Sequence, residues 1–84
     1  GHADPEVVKE AVLAAARLPG AEGESIVRAA ASSARWDVRH AAARAMAERR
    51  DPALASEAAR LAAAEPDPLV ARAFAETARA LAGR

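Results

Sequence analysis

The chain has 84 residues, with 12 acidic and 12 basic side chains and no cysteine. This length accommodates one small domain, and the lack of cysteine excludes disulfides and thiolate metal sites while leaving the redox compartment open. The formal net charge of zero removes the strong attraction that drives nonspecific binding to nucleic acid or to an anionic membrane. Alanine supplies 28 of the 44 hydrophobic residues, so only 16 larger apolar side chains can build a core.

The first residues, Gly1 and His2, resemble the remnant of a cleaved tag. We assign residues 1–3 to this remnant and an N-terminal tail, and residues 4–84 to one helical domain that we expect to be a fragment of a longer chain. No apolar run is long enough to cross a bilayer, and no signal peptide is recognisable at the start. We therefore expect a cytoplasmic protein with no membrane partner.

The first predicted helix runs from about Pro5 to Leu18. Asp4 is a suitable N-cap, and proline fits the first helical position because the N–H that it lacks would have no partner there. A cluster of helix breakers follows and predicts a loop. Its members are Pro19, Gly20 and Gly23.

The second predicted helix is short and covers residues 24–33, and the third runs from an Asp37 cap to Arg49. The apolar side of the second helix is predicted to consist of Ile26, Val27, Ala30 and Ala34. The buried stripe of the third helix is predicted to consist of Val38, Ala41, Ala42, Ala45 and Met46.

The fourth helix is predicted to begin at Asp51 and Pro52, which repeat the cap-and-proline pattern, and residues 65–68 end it and begin the fifth. The stripe of the fourth helix is Leu54, Ala58, Leu61 and Ala62. The stripe of the fifth is Val70, Ala73, Phe74, Thr77, Ala78 and Leu81. No segment alternates apolar and polar residues with period two, so the predicted fold class is all-α.

Three of the five helices begin alike, with DPEV at residues 4–7, WDV at 36–38 and DPLV at 67–70. Superposing the valines gives a spacing of 31 residues from Val7 to Val38 and of 32 residues from Val38 to Val70. A period in this range is typical of a solenoid, whose helical units cannot bury their apolar faces alone. We predict an α-solenoid with one inner helix followed by two antiparallel helix pairs.

The third helix resembles the inner helix of HEAT repeats, especially the short bacterial kind. The residues that carry this resemblance are Val38, Arg39, Ala42, Ala43, Ala45 and Met46. The resemblance covers nearly the whole chain and implies a right-handed stack of about two and a half repeats that acts as a protein-interaction or scaffolding module. The chain departs from the pattern at Arg35, where the family has aspartate, and at Val8 and Ala71, where it has arginine. The ladder of Asp and Arg residues between units is therefore irregular.

By this resemblance, the inner helices line a concave face that accepts a partner segment. Stacking would place Lys9, His40 and Arg72 in a row, because each lies two positions past a repeat valine. The predicted partner-binding residues are Lys9, Trp36, Arg39, His40, Arg44, Arg72, Glu76 and Arg79. Their partly positive surface suits an acidic or phosphorylated peptide. The alternative is an ordinary solvated face with intrahelical pairs such as Arg44 with Glu48.

Trp36 is the only tryptophan and stands just before the predicted cap of the third helix. A residue in this position often packs back onto its helix as a hydrophobic staple. The alternative is that Trp36 lies at the margin of the partner-binding face and anchors a partner, since tryptophan is enriched at binding hot spots.

Two further functional hypotheses remain open. One is binding of nucleic acid or phosphate by an arginine cluster, although the neutral net charge argues against nucleic acid as the partner. The cluster consists of Arg35, Arg39, Arg44, Arg49 and Arg50. The other is a regulatory or assembly extension of an enzyme that lies outside this sequence. The first helix is apolar over more than one face, which favours a homodimer contact or the continuation of a longer solenoid.

We expect no enzymatic activity, no cofactor and no metal. The serines have no paired base at a spacing that would activate a nucleophile. His40 has no second imidazole or thiolate at ligand spacing.

Overall fold

The computed structural model describes residues 4–83, and this range contains five α-helices and no β-strand. The assignment of residues 1–3 to a tag remnant and tail lies outside the described residues. The helices are α1 (Pro5–Ala15), α2 (Gly20–Ala31), α3 (Trp36–Arg49), α4 (Ala55–Ala64) and α5 (Pro68–Ala82). A 3-10 turn, Pro52–Leu54, precedes α4.

The helices form two layers. The inner layer is a row in which α1 packs against α3 and α3 packs against α5, while the outer helices α2 and α4 pack on α3 and α5. The molecule measures 38 × 30 × 14 Å, and the short dimension suits two layers whose helix axes lie roughly 8–10 Å apart. The predicted all-α solenoid is confirmed.

Large apolar side chains are concentrated around α5. Phe74 and Leu81 of α5 are fully buried together with Met46 of α3 and Leu54 of the 3-10 turn. The other side of α3 is filled mainly by alanine, whose small side chain allows neighbouring helices to approach closely. The predicted stripe of α3 is buried along its whole length.

Thr77 is the buried polar residue of α5. Its Oγ1 donates a hydrogen bond of 2.9 Å to the carbonyl oxygen of Ala43 on α3. A buried hydroxyl without such a partner would cost about 1–3 kcal/mol, so this bond lets α5 bury a polar residue within its apolar stripe.

The start of α2 is the largest error of the helix predictions. The helix begins at Gly20, not at residue 24, and Gly23 is a buried helical residue rather than part of a loop. A Cβ atom at Gly23 would lie 2.5 Å from Arg49 Nη1, 2.5 Å from the carbonyl oxygen of Leu18 and 2.7 Å from that of Ala15. Gly23 therefore serves a close approach between helices.

Arg49, in the last turn of α3, causes this close approach. Its Nη1 donates to the carbonyl oxygens of Ala15 at 3.1 Å and Leu18 at 2.8 Å, and its Nη2 donates to that of Gly20 at 3.1 Å. These carbonyls span the corner between the two helices, from Ala15, the last residue of α1, to Gly20, the first residue of α2. Helix α1 ends at Ala15, earlier than the predicted Leu18.

Two of the predicted aspartate caps of α-helices are confirmed and one is wrong. Asp4 Oδ1 accepts from the N–H of Glu6 at 2.9 Å, and Asp67 Oδ1 accepts from that of Leu69 at 2.9 Å. Asp37 is not a cap, because α3 begins one residue earlier and Asp37 lies in its first turn. Its carboxylate instead binds the side chain of Arg35 at 3.2 Å.

Candidate partner-binding site

A groove of about 400 Å³ runs between α1 and α3 on the face of the inner helices. We call it the α1/α3 groove. Its lining residues are Glu6, Lys9, Glu10 and Leu13 of α1, Trp36, Asp37, His40, Ala41 and Arg44 of α3, and Leu69 of α5. The groove brings together four of the eight residues predicted to bind a partner, namely Lys9, Trp36, His40 and Arg44.

Helical periodicity explains why these side chains share one face. Trp36, His40 and Arg44 are spaced four residues apart on α3, so they lie one above another on the same side of the helix. Lys9 and Leu13 have the same spacing on α1 and face them across the groove. The buried stripe of α3 occupies the opposite side, which leaves this face open to a ligand.

Lys9 joins the two walls of the groove. Its Nζ lies 2.6 Å from Glu6 Oε1 on the same helix and 3.5 Å from Asp37 Oδ2 on α3. The hydrogen bond with Glu6 is the main reason that the pKa of Lys9 is raised. The pKa of Asp37 is lowered, chiefly by the hydrogen bond from Arg35 and secondly by Lys9. Lys9 is therefore already paired within the protein.

Arg44 differs from Lys9. It is exposed, and no acidic side chain within residues 4–83 forms an ion pair with it. The pair with Glu48, which an ordinary solvated face would favour, is not formed. Arg44 thus places a cation beside the apolar groove residues Leu13 and Ala41.

Trp36 lines the α1/α3 groove and does not occupy the position of a hydrophobic staple. It is the first residue of α3 rather than the residue before a cap, and 51% of its surface is exposed. The staple interpretation is therefore wrong. A tryptophan in this position presents a broad apolar surface next to the charged residues of the groove.

Arg39 lies elsewhere, between α3 and the segment that leads into α5. Its Nε and Nη2 donate to the two carboxylate oxygens of Glu65 at 2.8 and 2.9 Å. Its Nη1 donates to the carbonyl oxygens of Ser33 at 3.0 Å and Ala34 at 3.1 Å. Only 15% of the Arg39 side chain and 5% of the Glu65 side chain are exposed. The hydrogen bonds of this pair raise the pKa of Arg39 and lower that of Glu65.

The three predicted site residues of α5 are exposed and lie outside the groove. Arg72 lines a neighbouring depression with Asp67, Pro68 and Leu69, and Leu69 also lines the α1/α3 groove. The predicted row therefore has Lys9 and His40 inside the groove and Arg72 beyond its margin. Glu76 and Arg79 lie further along α5 on its exposed side.

A family model described as HEAT repeats matches residues 1–79. The chain belongs to the HEAT-repeat family. A comparison with curated proteins gave no match, and neither did a comparison with solved structures. HEAT repeats generally mediate protein–protein interaction and are typically noncatalytic scaffolds. The resemblance drawn from α3 is confirmed.

The arginine cluster of this HEAT-repeat chain is dispersed. Arg35 pairs with Asp37, Arg39 pairs with Glu65, and Arg49 binds backbone carbonyls. Three of the five guanidinium groups are thus engaged in separate places, and the cluster does not form one continuous basic surface.

Residues 4–83 contain no group of three or more side chains that could hold a metal ion. None of the helices described in this range combines the length and the apolar character that crossing a membrane requires.

A second groove, of about 650 Å³, lies between α1 and α2, and we call it the α1–α2 groove. It is lined by Val7, Val8, Ala11 and Val12 of α1, by Ile26, Ala29 and Ala30 of α2, by Ser33 and by Val38 of α3. Ile26 was predicted to lie on the apolar side of its helix, and it lines this apolar groove with 38% of its surface exposed. Ala34 is exposed and lies beyond the end of α2.

Proposed function

We propose that residues 4–84 form one protein-interaction domain that binds a segment of a partner protein in the α1/α3 groove. The observation that carries this proposal is the position of Arg44, an exposed cation without an ion pair among the described residues, in the same groove as the half-exposed Trp36. Arginine and tryptophan are two of the residue types most enriched at binding hot spots. The general role of HEAT repeats supports the same class of function.

The groove suggests the chemistry of the partner segment. An apolar side chain would pack on Trp36 and Leu13, and a carboxylate or phosphate would accept hydrogen bonds from Arg44. Charge-assisted bonds of this kind are about twice as strong as bonds between neutral groups. A shallow groove between two helices suits an extended or helical segment.

The remaining predicted residues have graded roles in this proposal. Lys9 and His40 line the groove, and the ion pair of Lys9 with Asp37 connects α1 to α3. Arg72, Glu76 and Arg79 would contact only a segment that extends beyond the groove along α5. Arg39 is left out, because Glu65 already engages its guanidinium group.

Tryptophan fluorescence gives a direct test, because Trp36 is the sole tryptophan and lies in the groove. Peptides would be selected from a random library with the wild-type protein. We expect them to combine acidic and bulky apolar residues and to shift the emission of Trp36. Arg44→Glu should weaken their binding about tenfold or more, because it places like charges together.

The matched control is Arg17→Glu, which makes the same charge change at an exposed residue outside the groove. This variant should bind the peptides as the wild type does. Equal losses in the two variants, or binding that leaves Trp36 emission unchanged, would show that the selected peptides use another surface and would refute the proposal.

The other two hypotheses gain no support from the geometry. Nucleic-acid binding loses its basis because three of the five clustered arginines are engaged. No observation on residues 4–83 favours an enzyme extension over an independent binding module.

A further inference from the structure

The α1/α3 groove contains two charged side chains of opposite sign that the protein leaves unpaired. Arg44 lies on the α3 wall and Glu10 on the α1 wall, and both are exposed. Within residues 4–83 neither takes part in an ion pair, although Lys9 and Asp37 in the same groove do. The groove therefore offers a ligand one cation and one anion on facing walls.

The unpaired anion restricts the kind of segment that fits. A segment with only acidic residues would pair with Arg44 but bring a carboxylate towards Glu10, and like charges brought together weaken an interface. Glu10 would also lose water on binding without gaining a partner, which costs free energy. A basic residue opposite Glu10 removes both penalties, and the groove then rejects segments that lack one.

The two unpaired charges lie close together along the groove. The repeat spacing of 31 residues makes Glu10 of α1 equivalent to Ala41 of α3, which stands three residues before Arg44. Three residues correspond to about 4.5 Å along a helix axis. The groups on the partner that pair with Glu10 and Arg44 are therefore near neighbours.

The width of the groove favours an extended segment over a helix. The Lys9 Nζ atom of one wall lies 3.5 Å from the Asp37 Oδ2 atom of the other. A helix roughly 10–12 Å wide cannot sink between walls that approach so closely. An extended chain takes up only about 4.8 Å beside its neighbours in a sheet, so it can lie over this ion pair and still reach both walls.

An extended chain also matches the spacing of the side chains on the α3 wall. Trp36, His40 and Arg44 recur every four residues, which is about 6 Å along the helix axis. Alternate side chains of an extended chain point to the same side and lie about 6.6 Å apart. Three alternate residues of the segment therefore face these three side chains in turn, and the residues between them face α1.

Building on the proposed function, we infer that the α1/α3 groove recognises an extended segment with a mixed-charge pattern. The segment has an apolar residue and, four residues away, an acidic residue whose neighbour on the apolar side is basic. The apolar residue packs on Trp36, and the acidic residue pairs with Arg44. The basic residue points to the opposite side, about 3.3 Å along the chain, and pairs with Glu10.

The random library that tests the proposed function also supplies the probes for this inference. We expect the selected peptides to share the mixed-charge pattern, in either chain direction. Two synthetic variants are then made from one selected peptide. The first exchanges the adjacent acidic and basic residues, which keeps composition and net charge, and the second has glutamate in place of the basic residue. Both should bind about tenfold or more weakly in titrations followed by Trp36 fluorescence.

Reversing the charge of the α1 wall gives the complementary test. Glu10→Lys should weaken binding of the selected peptide about tenfold or more and should strengthen binding of its glutamate variant. A folding defect would weaken both, so this exchange of preference is specific to the contact. The matched control is Glu22→Lys, which makes the same change at an exposed residue of α2 outside the groove and should bind both peptides as the wild type does.

The outcomes separate this inference from the proposed function. If Arg44→Glu loses binding while Glu10→Lys binds as the wild type does, the proposed function stands and the mixed-charge pattern is wrong. Selected peptides whose acidic residue has no basic neighbour would also overturn the pattern. Peptides that bind equally to both variants and to the wild type would refute the proposed function, and this inference would fall with it.

Discussion

The two ends of the row of inner helices are held by different chemistry. At the α5 end, Phe74 and Leu81 are fully buried, and Arg39 and Glu65 form a two-bonded ion pair that is largely shielded from water. At the α1 end the buried side chains are small, and the ion pair of Lys9 with Asp37 is more exposed.

Repeats with the same sequence pattern therefore need not be equally stable. The stability of a solenoid is roughly the sum of unit and interface contributions, so a unit with a poor interface opens first. The irregular placement of the family arginine is one cause, because the middle unit has Arg39 while the first has Val8 at the same position. We therefore expect α1 to open at a lower free energy than α5.

The largest expected effect comes from removing an aromatic ring at the stable end. Phe74→Ala should lower the free energy of unfolding by about 4 kcal/mol, because a large cavity replaces a fully buried ring. A loss of this size approaches the total stability of many small domains. Urea denaturation followed by circular dichroism measures it. Val7→Ala, at an exposed position, serves as the control, and similar losses in both variants would contradict the comparison.

Removing the shielded cation should have the next largest effect. Arg39→Met leaves the Glu65 carboxylate without its partner and should cost about 2–3 kcal/mol of unfolding free energy. Replacing both residues, as Arg39→Met with Glu65→Met, should restore part of this loss, since no buried charge then remains. If the double variant is no more stable than Arg39→Met, the unpaired carboxylate is not the cause.

A substitution at the junction of α1 and α2 tests the stability of the α1 end. Alanine normally favours a helix over glycine by about 1 kcal/mol. Gly23→Ala should nevertheless destabilise the protein by about 1–2 kcal/mol, because the new Cβ would meet two backbone carbonyls and the Arg49 guanidinium. Thermal unfolding measures the change. Gly83→Ala is the matched control, since the nearest atom to its Cβ would lie 3.5 Å away, and a stabilising Gly23→Ala would contradict the close approach.

Lowering the pH should reduce the stability of the protein mainly through the Arg39–Glu65 pair at the α5 end. Arg39 holds the pKa of Glu65 below its usual value, so the pair contributes its full stability above the unfolded pKa of about 4.3. The contribution is lost as the pH falls through the lower folded pKa. We expect a constant urea midpoint from about pH 5 to 7 and a decline below about pH 4.

The decline should be shallower in Glu65→Gln, which has no carboxyl group to titrate. Asp37→Asn should flatten it less, because its partners Lys9 and Arg35 are more exposed to solvent. The opposite ranking of the two variants would mean that the α1 end carries the greater electrostatic contribution.

The smallest effect is expected from the exposed pair. Lys9→Met should change the urea midpoint little, since solvent and salt screen the interactions of Lys9 with Glu6 and Asp37. Any change should shrink further at high salt. A loss as large as that of Arg39→Met would remove the distinction between the two ends.

Hydrophobic spacing and capping residues predicted much of this fold. The predicted stripe of α3 is buried, and that of α5 is buried at Val70, Phe74, Thr77 and Leu81 and partly buried at Ala73 and Ala78, because period-3.6 spacing places these residues on one side of a helix. Asp4 and Asp67 act as caps because each side chain accepts a hydrogen bond from a backbone N–H only two residues further along the chain. These features are local, and local sequence is enough to predict them.

Several of the errors involve contacts between residues far apart in the chain. Arg39 and Glu65 are 26 residues apart, so nothing near Arg39 indicated that its charge is engaged. Gly23 looked like a loop residue because its partner Arg49 belongs to another helix. The repeat spacing alone predicted that Lys9 and His40 share a face. It did not predict the ion pair of Lys9 with Asp37, because that pair depends on how far α1 is shifted along α3.

The hydrogen bonds of Arg49 have a consequence for the order of assembly. The carbonyls that it binds belong to residues 15 to 20, yet Arg49 itself is made about thirty residues later. During synthesis the first two helices therefore leave the ribosome without the group that fixes the corner between them. That corner becomes fixed only when the third helix is complete, so the earliest-made part of the chain depends for its final geometry on a residue translated well after it.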